Sequence, residues 1–217
     1  MSAVYSSLDL LHSIESDRTD VLAQIYEKDI NLVCFNRELD IGVSVYAKEL
    51  VNNKPTFSIC KIVNMNTVEA VLNETLPDYD DKDAFIYDLY QLCDMYSLLF
   101  GLVDIGLRLT ALDRAMCPRF HVDNTVCRLL TTYNRAGSEW LTEDNLDRSK
   151  LGRGNNGKPD KESGVYLEET NIMQLKANSI ALLKGESWPD NAGRGLVHRS
   201  PAVAKGQSRL LLSLDFV

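Results

Sequence analysis

The sequence predicts an α+β chain whose helix-rich first half leads into an antiparallel β-sandwich or barrel of the jelly-roll kind. Three observations carry this. Apolar residues recur at three-to-four spacing through most of the first hundred positions. From about residue 102 the spacing changes to period two, in runs of β-branched and aliphatic residues. Those runs follow one another with no helical stretch between them, which argues against the strand–helix alternation of a parallel sheet. With 217 residues, 45% hydrophobic and 25% charged, the chain can bury one good core. We therefore expect a single domain over 1–217, with a helix-rich part at 1–102 and a jelly-roll core at 103–217.

The elements follow in order. "SSLDLLHSIE" and "RTDVLAQIYEK" have helical spacing, and "DIGVSVYAKELVNN" continues it. "FSICKIV" is β-rich and reads as a strand, and "NTVEAVLNET" reads as a helix with an Asn cap. The clearest helix is "DKDAFIYDLYQLCDMYSLLFG". Phe85, Leu89, Leu92, Tyr96 and Leu99 form its stripe, acids crowd its start, and Gly101 follows its end. Six strands are then expected in "LVDIGLRLTALD", "TVCRLLTTYN", "GVYLEE", "NSIALLKGESW", "GLVHRSPAV" and "SRLLLSLDF". "GRGNNGKPDKESG" reads as an exposed loop.

Composition excludes several function classes. The net charge of −8 argues against a nucleic-acid partner, because backbone binding needs a basic face. The longest apolar run, "YSLLFGLV", is too short to cross a bilayer, and the first residues lack a basic lead and apolar core. A cytoplasmic protein without membrane partners is expected. Five scattered cysteines and no CxxC pair argue for reduced thiols, against both a disulfide framework and a zinc ribbon. Charge is uneven: residues 1–115 carry nine Lys/Arg against nineteen Asp/Glu, and 116–217 carry fourteen against twelve. The later arginines cluster near the two histidine segments discussed next, as a cavity for an anion would require.

The chain has three histidines, and two sit in "CPRFHVDN" and "GLVHRSP". On a strand, residues two apart share a face, so His121 and Asp123 would project together. His198 from a distant strand would complete two nitrogens and one oxygen on a triangular face, which holds Fe(II) and leaves positions open. His12 lies on an N-terminal segment poorly placed to join them. Arg209, eleven residues after His198, could reach into the barrel and bind a carboxylate bidentately. Ser213 could add a hydroxyl hydrogen bond to the same group. Trp140 and Trp188 could line a mouth or simply pack, and "GRG" at 193–195 permits tight turns before the distal histidine.

"RFHVDN", "CRLLTTYN", "NSIALLKGESW", "LVHRSP" and "SRLLLSLDF", in that order, resemble the Fe(II)/2-oxoglutarate dioxygenase superfamily over residues 103–217. The resemblance implies a double-stranded β-helix (jelly-roll) core with an N-terminal helix-rich annex. It also implies His121, Asp123 and His198 as metal ligands and Arg209 as the 2-oxoglutarate anchor, with Tyr133 or Arg128 as candidates to assist. The activity implied is hydroxylation of a small-molecule or amino-acid-like substrate with Fe(II) and 2-oxoglutarate. Because Asp123 is present, no ligand position is vacated for chloride, as it is in related halogenases. The whole chain also resembles an uncharacterised bacterial domain family associated with zinc-homeostasis neighbours.

Two alternatives stay open. Two imidazoles and a carboxylate also suit Zn(II), which points to a zinc-binding protein or zinc-dependent enzyme on the same scaffold. Cys117 and Cys127 flank the motif with matching strand parity, and a thiolate ligand would favour zinc. The other alternative is a non-catalytic jelly-roll module, against which the pairing of the histidines with Arg209 counts. Oligomeric state is not readable.

Overall fold

A computed structural model describes residues 12–217. Its main feature is a seven-stranded sheet built from both halves of the chain. The first half supplies β1 (His12–Ser16), β2 (Ile30–Phe35) and β3 (Ser58–Val63). The second supplies β4 (Ile105–Leu112), β5 (Cys127–Thr132), β8 (Ile180–Lys184) and β10 (Arg209–Asp215). Their order is β1-β2-β8-β5-β10-β4-β3, antiparallel except for the β1–β2 pair. A second, smaller sheet has the order β7-β6-β9, from β6 (Glu139–Trp140), β7 (Met173–Gln174) and β9 (His198–Arg199). An isolated bridge joins His121 to His198 at its edge.

Strand alternation divides the large sheet into two faces. Leu107, Leu109, Leu129, Leu182, Leu210, Leu212 and Leu214 point to the helices α1 (Ile41–Asn53), α2 (Val68–Thr75) and α3 (Lys82–Phe100), forming the main core. Leu32, Leu112, Leu130, Leu183 and Leu211 point the other way and meet Trp140, Leu175 and Leu196 from the small-sheet side. The result is three layers: helices, large sheet, small sheet. Asp40 caps α1 by accepting from Gly42 N at 2.7 Å. The expected stripe of α3 is the part that packs: Phe85, Leu89, Leu92 and Tyr96 are buried, each contributing about 1.5–3 kcal/mol. Leu99 is only partly buried against the same cluster. The Tyr96 hydroxyl donates to Cys127 O at 2.6 Å, fixing α3 to β5.

Several local expectations change. Of "SSLDLLHSIE", residues 6–11 lie outside the described residues, and His12–Ser16 is a strand because it pairs with β2. Residues Thr19–Tyr26 form a 3-10 helix. "INLVCF" (β2) carries no alternation to find, since it is buried on both faces. Thr67, not Asn66, precedes α2, and no side chain caps it. "GVYLEE" is not a strand: Tyr166 makes one bridge to Leu146, and Glu169–Asn171 turns as a 3-10 helix. The expected exposed loop holds a 3-10 turn and a short helix, α4 (Asp160–Ser163), whose Asp160 is buried. Among the described residues no helix is long and apolar enough to cross a membrane.

Between α3 and the sheet lies a buried polar knot. Arg37 is paired to Asp88, and the Tyr133 hydroxyl donates to Asp88 Oδ2 at 2.7 Å. Tyr133 therefore faces the helices. Tyr133→Phe should lower stability by about 2 kcal/mol in urea unfolding, the worth of a buried hydrogen bond to a charged group, and leave ligand binding on the other face unchanged.

Candidate metal centre

The two histidines are brought together by backbone pairing. His121 N–H donates to His198 O and His198 N–H to His121 O, both at 3.0 Å. Residues that exchange both bonds in an antiparallel pair present their side chains on one face. The rings accordingly lie with centroids 4.6 Å apart. Asp123 joins them, with Oδ1 3.5 Å from His121 Nε2 and Oδ2 3.3 Å from His198 Nε2. All three donor atoms fall within 4.8 Å of one another. Among the described residues no other group of three His, Cys, Asp or Glu residues converges in this way.

Each imidazole is oriented by its other nitrogen. His121 Nδ1 lies 2.9 Å from Arg119 O, and His198 Nδ1 lies 3.2 Å from Leu196 O. A carbonyl accepts only, so Nδ1 carries a proton in each ring, and Nε2 is the nitrogen that faces the centre, bonded to Asp123 here and free to give its lone pair to a metal instead. Arg128 fixes the carboxylate: its Nη1 is paired to Asp123 and its Nε donates to Asp215 Oδ1 at 2.7 Å. Burial alone would raise the Asp123 carboxyl, but His121, His198 and Arg128 hold it far below the ordinary carboxylate range. To a metal this set would offer two imidazole lone pairs and an ionised carboxylate. It fits a divalent metal held on one side with further positions open.

The segments carrying His121 and His198 are clamped from outside. Arg199, next to His198, lies over the Phe120 ring at 4.2 Å and donates to Glu139 Oε2 at 2.6 Å and to Asp160 Oδ2 at 2.9 Å. Asp160 Oδ2 also accepts from Phe120 N at 3.0 Å. Two glycines allow close approach. A Cβ on Gly185 would lie 2.1 Å from Thr125 O and 2.8 Å from Asp123 O, and one on Gly195 would meet Val122 Cγ1 at 2.4 Å.

A cavity of about 70 Å³ opens at the centre, lined in part by His121, His198, Arg108, Thr110, Leu211 and Ser213. Arg209, Leu211 and Ser213 share the inner face of β10, with Arg209 at its deep end. Arg209 is 2% exposed, and its Nε and Nη1 have no partner among the described residues. Its Nη2 donates to Thr132 Oγ1 at 3.3 Å, and burial pulls the guanidinium down to about 10, so it remains a cation at neutral pH. Glu139, the carboxylate whose charge reaches it, is already bonded to Arg199. A buried guanidinium with two free donors is costly, and an anion would satisfy it.

The remaining candidates separate. Arg128 reaches the centre but is committed to two carboxylates. Tyr133 is on the opposite face, bonded to Asp88. Cys127 is fully buried in the helix-side core, and burial raises its thiol well above the usual range. The turn at 124–126 resets the parity that paired it with His121. Cys117 lines the cavity but is not among the converging donors. His12 is exposed on β1. Trp140 packs between the sheets, and Trp188 packs against Tyr26 and Phe100. A cavity of about 1050 Å³ lies beside α3 and is not lined by His121, Asp123 or His198.

Arg108, Thr110 and Asp160 were not singled out by sequence reasoning. The first two were findable, because they alternate with Leu107 and Leu109 and must face inward on β4. Gly185→Ala should displace the Asp123–Thr125 backbone. We expect a loss of about 1–3 kcal/mol in stability from overpacking, and cobalt(II) titration weakened at least tenfold.

Comparison with known proteins places this fold and chain. The structure is similar to a putative oxygenase from Shewanella oneidensis, at 13% identity over 94% of this chain and 89% of that one, with a TM-score of 0.50. It also aligns with the dioxygenase for auxin oxidation from rice, at 12% identity, 95% and 83% coverage and a TM-score of 0.49. A third alignment is to a full-length Neurospora crassa protein solved in complex with alpha-KG and 5-formyluracil, at 11% identity, 99% and 87% coverage and a TM-score of 0.49. At these identities the likeness is one of fold, and it rests on the Shewanella structure. No curated protein matches the sequence. The family model described as "Protein of unknown function (DUF1826)" matches residues 16–215, and the chain belongs to that family.

Proposed function

We propose that this chain is an Fe(II)- and 2-oxoglutarate-dependent oxygenase that hydroxylates a small-molecule or amino-acid-like substrate. The observation that carries the reading is Arg209: a buried guanidinium with two unpartnered donors, on the wall that faces a converged His121–Asp123–His198 set. The sheet order supports it. In this reading β8-β5-β10-β4 would supply one half of a double-stranded β-helix, and β7-β6-β9 with the His121 bridge at its edge the other.

In this reading His121 Nε2, His198 Nε2 and an Asp123 oxygen hold the metal. When bound, Fe(II) with 2-oxoglutarate supplies reduction of dioxygen coupled to decarboxylation of the cosubstrate, giving succinate, carbon dioxide and a hydroxylated product. Arg209 binds the distal carboxylate of the cosubstrate, in an interior where a charge-assisted pair is little screened. Ser213, on the same face nearer the metal ligands, donates its hydroxyl hydrogen. Leu211 and Leu130 exclude water from this wall. Neither Cys117 nor Cys127 belongs to the donor set, which removes the thiolate argument for zinc.

Arg209→Met separates this role from a structural one. With the orphaned charge removed, the metal-free variant should be more stable than the wild type, by about 1–3 kcal/mol in urea unfolding. It should retain manganese(II) while 2-oxoglutarate affinity falls by about 2–5 kcal/mol in anaerobic calorimetry. His198→Ala should lose the metal. Undiminished 2-oxoglutarate binding by Arg209→Met would refute the anchor, and undiminished metal binding by His198→Ala would refute the centre.

A further inference from the structure

The ladder register sets out a second feature of the same wall. Cys60 pairs with Arg108, Arg108 with Ser213, and Ser213 with Leu130, so these four form one row across β3, β4, β10 and β5. Paired residues point to the same face, and here that face looks toward the metal ligands. Arg209 lies opposite Leu112, four residues along β4 from Arg108, or about 13 Å at the strand rise. The wall therefore carries two arginines, one buried at its deep end and one at the mouth.

Arg108 is a cation at this mouth that no carboxylate among the described residues neutralises. Arg128 is held by Asp123 and Asp215, and Arg119 donates to Gly157 O at 3.2 Å. Among the described residues Arg108 has no carboxylate partner, and its side-chain hydrogen bond is the weak one from Nη2 to Cys60 Sγ at 3.9 Å. Around it stand the hydroxyls of Thr110, Ser200 and Ser213 and the sulfurs of Met116 and Cys117, with Leu130, Leu211 and the two imidazoles completing the cavity wall. Next to it β3 leaves Ser58, Cys60 and Ile62 exposed on the same face, with Ile62 at 67%. The small sheet ends at the His121 bridge and does not roof this edge. The site thus opens onto an exposed shelf of mixed polarity beside a guanidinium that has no carboxylate partner among the described residues.

We infer that Arg108 binds the carboxylate of the primary substrate, an amino-acid-like carboxylic acid lying on the β3–β4 shelf with its reacting carbon toward the metal. This rests on the oxygenase reading above. Guanidinium geometry suits a bidentate carboxylate, and the apolar part of the lining at Leu130, Leu211 and Met116 suits the carbon skeleton attached to it. Arg209 serves the cosubstrate and Arg108 the substrate, which keeps the two acids apart on one wall.

The test uses manganese(II)-loaded protein kept anaerobic, with and without saturating 2-oxoglutarate. Calorimetry is run with the free L-amino acids and with their carboxamides, on wild type and on Arg108→Gln. The expected result is at least one acid that binds wild type at least tenfold more tightly than its amide. In Arg108→Gln that preference should shrink to within twofold while 2-oxoglutarate affinity stays within twofold of wild type. Absence of any acid-over-amide preference overturns the inference, as does a preference that survives the substitution. A tenfold loss of 2-oxoglutarate affinity also overturns it, by moving Arg108 to the cosubstrate. If wild type binds no 2-oxoglutarate, the oxygenase reading fails instead, and the titrations without it still decide whether Arg108 holds a carboxylate.

Discussion

Two backbone hydrogen bonds, exchanged between His121 and His198, are what the rest of the site depends on. They join segments far apart in sequence into one edge of the small sheet. With that pairing fixed, strand alternation brings Asp123 to the face of His121, and the carbonyls of Arg119 and Leu196 set both imidazole tautomers. The close approach of the Asp123–Thr125 backbone at Gly185, and of Val122 at Gly195, is the steric condition for the pairing. Arg199 and Asp160 hold the two strands from the outer side. Local chemistry at a few backbone positions thus fixes a donor set to within ångströms.

The large sheet serves two purposes with its two faces. Its helix side buries a continuous leucine-rich surface, which carries most of the folding free energy. That surplus allows the inner face to hold groups that oppose folding. Arg209 is the clearest of them: it is desolvated and its Nε and Nη1 have no partner among the described residues, a cost that a bound anion would remove. A stability penalty concentrated where a ligand would sit is the pattern expected of a binding site rather than of a scaffold.

Much of this was legible in the sequence, for identifiable reasons. Histidine is rare here, so two of three in strand contexts, one with an aspartate two residues on, stood out. Helix α3 showed its stripe and its terminal Gly101. Strand β2 did not show, because burial on both faces erases alternation, and residues 12–16 were drawn into a strand by pairing that local spacing cannot reveal. Cys127 was misplaced by a turn at 124–126 that resets parity. Tyr133 and Arg128 are five residues apart, an odd separation, so on one strand they could never share a face. Asp160 was hidden because its segment reads as an exposed loop, and its burial follows from contacts with Phe120 N and Arg199.

The central claim is that the His121–Asp123–His198 centre and Arg209 together hold Fe(II) and 2-oxoglutarate. It is tested most directly by visible absorption of the anaerobic protein on addition of Fe(II) and then 2-oxoglutarate. The account predicts a charge-transfer band that appears only with both present, saturates at one equivalent of each, and is absent when succinate replaces 2-oxoglutarate. No band under any of these conditions, together with zinc that survives dialysis at one equivalent, would contradict it.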